Sequence, residues 1–166
     1  MWFKRKEKVY PKALDICEGL IALSNPDTKY GINRRKLPSL LYYSEAIHLS
    51  LFNESLFDDI IKPTMDGVIV ATAYYTYKRA SFQPHPVGRN KFHTEFFPSR
   101  DVILDEKEKT AIELCWKLYG DKSEIYLRNK IMNELPWRVA TDGYGWWENF
   151  EPVSYTHLTL PTMAVV

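Results

Sequence analysis

The sequence predicts a mainly α-helical fold: a single compact domain with an irregular loop or short β-hairpin around residues 81–103. Three observations carry this. Apolar residues recur at the i, i+3, i+4, i+7 spacing of one helical face in several stretches. The ends of those stretches hold residues that start and stop helices. The chain has 166 residues, 45% hydrophobic, 14% aromatic and 26% charged, which is the mix of one globular domain. A domain of this size buries roughly two thirds of the surface its unfolded chain exposes, so it needs neither disulfide nor metal to hold a core.

The first helix is expected over Pro11 to Leu23, where Ala13, Leu14, Cys17, Leu20 and Ile21 share a face. Pro11 suits the first turn, whose N–H groups have no intrahelical acceptor. The cluster Ser24, Asn25, Pro26 and Asp27 ends it. The second helix is the most periodic, with Leu37, Leu40, Leu41, Ser44, Ile47, His48 and Leu51 in register over about four turns. Asn33 and Pro38 mark its start and Asn53 its stop. Leu56 to Ile61 reads as a connecting turn, and Pro63 bars helix at the residue before it.

A third helix is expected from Val68 to Arg79, because Ile69, Val70, Ala73, Tyr74 and Tyr77 keep helical spacing behind Gly67. From Ala80 to Arg100 the pattern collapses, with Pro84, Pro86, Gly88 and Pro98 interrupting it. Asp105 and Glu108 form the signature of a capping box, opening a helix with Ile112, Cys115, Trp116 and Tyr119 on one face and Gly120 just past its end. Ser123 caps a shorter helix to about Met132, followed by Pro136. The remainder to Glu151 is aromatic without a period. Residues 153–166 are uncharged and threonine-rich, and resemble a translated sequencing adapter, so the native domain is expected over residues 1–152.

Charge names no partner: 22 basic against 21 acidic residues leave a net +1. Locally it is uneven. Lys29, Arg34, Arg35 and Lys36 form one basic run without an acid, and Lys78, Arg79, Arg89 and Lys91 another, whereas residues 54–59 and 101–113 are net acidic. A dipolar surface suits a protein partner better than a nucleic-acid backbone, which stays as a secondary partner class. No apolar run reaches the length of a membrane span or a signal sequence, and two distant cysteines, Cys17 and Cys115, suit a reduced compartment. The expected location is the cytoplasm.

No catalytic constellation emerges, and the chain is expected not to be an enzyme: no phosphate-cradling glycine loop, zinc-binding His-Glu-x-x-His, or nucleophile elbow is present. His85, His93 and Asp101 are spaced so that they can converge on a metal, but loop histidines are ordinarily solvated, and no metal or cofactor is expected. His48, on an apolar helix face, reads as a hydrogen-bonded core histidine, and both cysteines read as small core residues. Asp58, Asp59, Glu106 and Glu108 read as turn and capping acids. Trp146 and Trp147 fit a partner anchor and a closure of the core equally well.

The run from Arg35 through Lys36, Leu37, Leu40, Leu41, Tyr42 and Tyr43 to Leu49 resembles the Lys-Leu and Leu-Leu-Tyr helix of the Panacea domain, an antitoxin domain common in phages and mobile elements. Ser55 to Ile61 resembles its following turn, Gly67 to Lys78 its glycine-led segment, and Pro136-Trp137 the Pro-Trp near its end. Pro38 stands in place of a polar helical residue, Val68 in place of a proline, and Met65 and Asp66 in place of an aromatic and an acid, which marks a divergent member. The resemblance implies a helical antitoxin that binds a toxin protein without catalysis. An alternative is a phage-encoded inhibitor of a bacterial defence nuclease, anti-CRISPR-like, that works by protein binding. The candidate contact residues are Arg34, Arg35 and Arg79 on the basic side, Phe92 and Phe96 in the irregular loop, and Trp146 and Trp147.

Overall fold

The second helix, α2 (Lys36–Phe52), is the axis of the fold, and the computed structural model describes residues 12–24, 31–77 and 102–141. Twelve of its residues are buried, on almost every face. A helix buried all round rather than along one stripe is a core helix. Against it pack α1 (Lys12–Leu23), α4 (Glu106–Tyr119) and α5 (Glu124–Asn133), with α3 (Ala71–Tyr77) on α1 and α6 (Leu135–Thr141) closing on α5. Six helices make up 67% of the described residues. The mainly helical expectation holds.

Several ends form as the local chemistry dictates. Asn33 Oδ1 accepts from the backbone N–H of Arg35 at 2.9 Å and of Lys36 at 2.8 Å, so the expected starter of α2 satisfies donors that have no helical acceptor. Pro38 then sits in the first turn, where its missing N–H costs nothing. Asn53 ends α2 in the left-handed conformation, φ 53°. At α4 the capping box is complete: Asp105 accepts from the Glu108 N–H at 2.8 Å, and Glu108 accepts from the Asp105 N–H at 2.9 Å. Ser123 accepts from the Tyr126 N–H at 3.1 Å and opens α5.

Two elements differ from expectation. Residues 68–70 belong not to a helix but to β2 (Gly67–Val70), paired antiparallel with β1 (Ile61–Thr64) in the register Ile61 to Val70 and Thr64 to Gly67. Val68, Ile69 and Val70 are β-branched and stiff at χ1, which favours the pleated strand, and Val68 and Val70 turn inward together at strand spacing. The helical spacing of Ile69 and Val70 with Ala73 and Tyr77 merely straddles the strand-to-helix junction, so α3 begins only at Ala71. The second difference is α6, which starts beside Pro136 where no helix was expected; proline at the front of a helix gives up no bond. The hairpin expected around 81–103 falls on residues outside the described ones up to 101, and residues 102–104 are irregular.

Gly120 follows α4 as expected, but for a different reason. Its φ is −61°, an ordinary right-handed value, and a Cβ there would lie 2.5 Å from the Trp116 carbonyl oxygen and 2.7 Å from its indole. Gly67, at φ 111°, is the glycine that a backbone conformation requires.

The aromatic pair of α2 is tied down from across the fold. Tyr42 and Tyr43 each donate a hydroxyl hydrogen bond to the Glu134 carboxylate, both at 2.9 Å, and Lys130 Nζ joins it at 2.8 Å. Tyr43 stacks on Tyr119 with ring centroids 4.1 Å apart. Burial first, and the Glu134 charge beside them second, hold both phenols protonated well above the ordinary tyrosine value. On the other side of the hairpin, Trp137 Nε1 donates to the Gly67 carbonyl at 2.7 Å.

Candidate functional site

Where the N-terminal end of α2, the hairpin, α3 and α5 meet, they enclose a groove of about 750 Å³. Arg34, Arg35, Leu37 and Pro38 come from the α2 end, Thr64, Asp66, Val68 and Ile69 from the hairpin, Tyr74 and Tyr77 from α3, and Glu124, Ile125 and Arg128 from α5. The floor is apolar because the inward strand residues and Leu37 belong to the core. The rim is charged, since helix ends and a turn tip project polar residues.

Two ion pairs cross that rim. Arg35 Nη1 stands 3.7 Å from Glu124 Oε1, and Arg128 Nη1 stands 3.6 Å from Asp66 Oδ1. Glu124 is positioned further by Asn33 Nδ2, which donates to it at 2.6 Å, so one asparagine serves both the start of α2 and the wall of the groove. Among the described residues, three guanidinium groups and two carboxylates line the groove. Among the described residues no group of three or more His, Cys, Asp or Glu is placed to hold a metal ion.

The model of the family described as "Antitoxin SocA-like, Panacea domain" matches residues 38–138, more than half of the chain. The chain belongs to this family. No curated protein and no solved structure matches it. The motif residues that mark this Panacea domain are chiefly those that hold it together. Tyr42 and Tyr43 of its Leu-Leu-Tyr helix meet Glu134, and Trp137 of its Pro-Trp meets Gly67 of its glycine-led segment.

Of the expected contact residues of the Panacea domain, Arg34 and Arg35 lie together on the groove. Arg79, Phe92, Phe96, Trp146 and Trp147 lie outside the described residues, as do His85, His93 and Asp101. Lys36 corrects the reading of residues 29–36 as one basic surface run. It is 1% exposed, donates from Nζ to the Gly120 carbonyl at 2.7 Å, and lies 5.5 Å over the Trp116 ring. Burial pushes its ammonium down to about 8, against the smaller opposing pull of Asp121. Lys36 therefore braces the start of α2 against the end of α4.

The residues read as structural are so placed. His48 is buried, with Nδ1 2.7 Å from the Glu54 carbonyl. Cys17 and Cys115 are fully buried, and burial pushes the Cys115 thiol up to about 12, which makes it a poor nucleophile. Glu108 is a capping acid that also pairs with Lys12 at 2.8 Å, and Asp59 accepts from the Thr72 hydroxyl at 2.6 Å at the start of α3. Sequence reasoning missed Arg128, Asp66, Tyr74 and Ile125 as groove residues. Tyr74 and Ile125, 51% and 55% exposed, are apolar groups left at the surface, and only the packing of both α3 and α5 on β2 brings them to one recess. No helix among the described residues is long and apolar enough to cross a membrane.

Proposed function

We propose that this Panacea domain neutralises a cognate toxin by binding it directly, in the cytoplasm and without a reaction of its own. The observation that carries the reading is the family match over residues 38–138. Two physical features support it. The scaffold is braced through α2, whose side chains bond to Gly120 and Glu134 on other elements, so a surface built on it changes little on docking. The groove sets arginine and tyrosine, residue types enriched in interface hot spots, beside aliphatic side chains.

The test is growth under induction of the gene beside this one, alone and together with the present chain. The neighbour should arrest growth alone, co-expression should restore it, and the two proteins should purify as one complex. A neighbour that is harmless, or that stays toxic with this chain present, refutes the reading.

A further inference from the structure

The groove carries more than a location, because its charges and apolar groups restrict what fits it. Arg34 and Arg35 stand at the α2 end, Arg128 on α5. The α2 N-terminus itself is already satisfied: Asn33 takes the N–H groups of Arg35 and Lys36 through its side chain and that of Leu37 through its carbonyl at 3.1 Å, while Pro38 has none. An anion in the groove would therefore be held by guanidinium groups, not by the helix end. Each guanidinium has five donors and can serve two carboxylates at once. The pairs Arg35–Glu124 and Arg128–Asp66, at 3.7 and 3.6 Å, are long contacts of the weak surface kind, and the Asp66 side chain is 87% exposed. An incoming carboxylate can join them without expelling either acid.

The resident acids decide which anion. Asp66 and Glu124 sit among the arginines, so a polyanion such as a nucleic-acid backbone, with its closely repeated charges, meets repulsion from two resident carboxylates. A single carboxylate does not. Beside the charges, Tyr74 and Ile125 keep about half of their surface open within the same groove, leaving apolar area for a neighbouring side chain to cover. The volume, about 750 Å³, lies in the range that admits a few side chains and not a folded element.

We propose that the groove receives a short acidic segment of the toxin, one carboxylate between the Arg34/Arg35 pair and Arg128, with an adjacent apolar side chain against Tyr74 and Ile125. The proposal rests on the toxin-binding reading above and adds to it the chemistry of the contact.

Two titrations test it on the full chain, each following the thermal melt to establish folding. The first uses the purified product of the neighbouring gene. Arg34→Glu combined with Arg128→Glu should weaken binding roughly tenfold or more, and Tyr74→Ser with Ile125→Ser several-fold, while Lys109→Glu, on α4 away from the groove, leaves it unchanged. The second uses a fluorescent short peptide centred on Glu-Leu-Glu-Phe, with a twin carrying Gln for both acids. The acidic peptide should bind more tightly than its twin, lose that advantage in the double arginine variant, and weaken as salt rises. Undiminished toxin binding by both folded double variants overturns the groove proposal and leaves toxin binding standing. If wild type fails to bind the neighbour's product, the toxin reading falls, and equal binding of the two peptides then overturns the groove as well. Binding of single-stranded DNA in preference to the acidic peptide, abolished in the arginine variant, also overturns it.

Discussion

Replacing Glu134 by alanine removes one carboxylate on which three side chains converge. The Tyr42 and Tyr43 hydroxyls, each 2.9 Å from it, belong to rings that are 0% and 2% exposed. Lys130, at 2.8 Å, keeps a third of its side chain in water and can turn outward at little cost. The tyrosines cannot. Each buried hydroxyl left without an acceptor costs about 1–3 kcal/mol, so Glu134→Ala should destabilise the fold by about 2–5 kcal/mol. At this chain length that is a fall in Tm of roughly 6–12 °C for a loss of about 3 kcal/mol. Urea unfolding followed by far-ultraviolet circular dichroism measures it. A cycle with Tyr43→Phe isolates the cause: in the native background the phenylalanine should cost about 1 kcal/mol, and in the Glu134→Ala background it should cost nothing or stabilise, because it removes the orphaned hydroxyl. If Glu134→Ala unfolds within about 0.5 kcal/mol of the native chain, or Tyr43→Phe costs the same in both backgrounds, the carboxylate is not what ties α2 to α5.

Trp137→Phe deletes the donor to the Gly67 carbonyl and should cost about 1–2 kcal/mol, with hydrogen exchange accelerated first at the β1 and β2 amides; uniform acceleration across the fold would contradict a local tie. Gly120→Ala forces a methyl to 2.5 Å from the Trp116 carbonyl and should lose about 1–3 kcal/mol, measured by thermal denaturation, despite a φ that alanine tolerates. Lys36 titrates near 8 when folded and near 10.5 when unfolded, so between those values the unfolded chain binds more protons and stability rises with pH. The stability of the native chain relative to Lys36→Met should accordingly grow from pH 8 to pH 10, and a difference that is flat or falls over that range would show the ammonium to be solvated.

How much of this was legible in the sequence varies with the range of the interaction. Asp105 with Glu108, Ser123, Asn33 and Asn53 act within three or four residues of themselves, and the helix ends they mark are found where expected. The junction at Val70 was missed because two periods overlap there, and strand pairing with residues 61–64 decides between them. Lys36 was misread for a related reason. In sequence it continues a basic run, whereas in the fold its neighbours are Gly120 and Trp116, eighty or more residues away. Of the groove, Arg34 and Arg35 were legible as local charge; Arg128 and Asp66 were not, since neither stands in a charged run.

Local chemistry was therefore enough for the class of the fold and the ends of its main helices, because capping, periodicity and residue type act over a turn or two. Which charges are surface and which are braces, and which exposed apolar groups share a recess, depends on contacts between distant elements. The same lysine is a solvated cation or a buried strut according to what packs over it, and burial is a property of the assembled chain. That is why the family could be approached from the pattern of α2, while the groove of Arg34, Arg35, Arg128, Tyr74 and Ile125 came into view only when α2, α3, α5 and the hairpin were brought together.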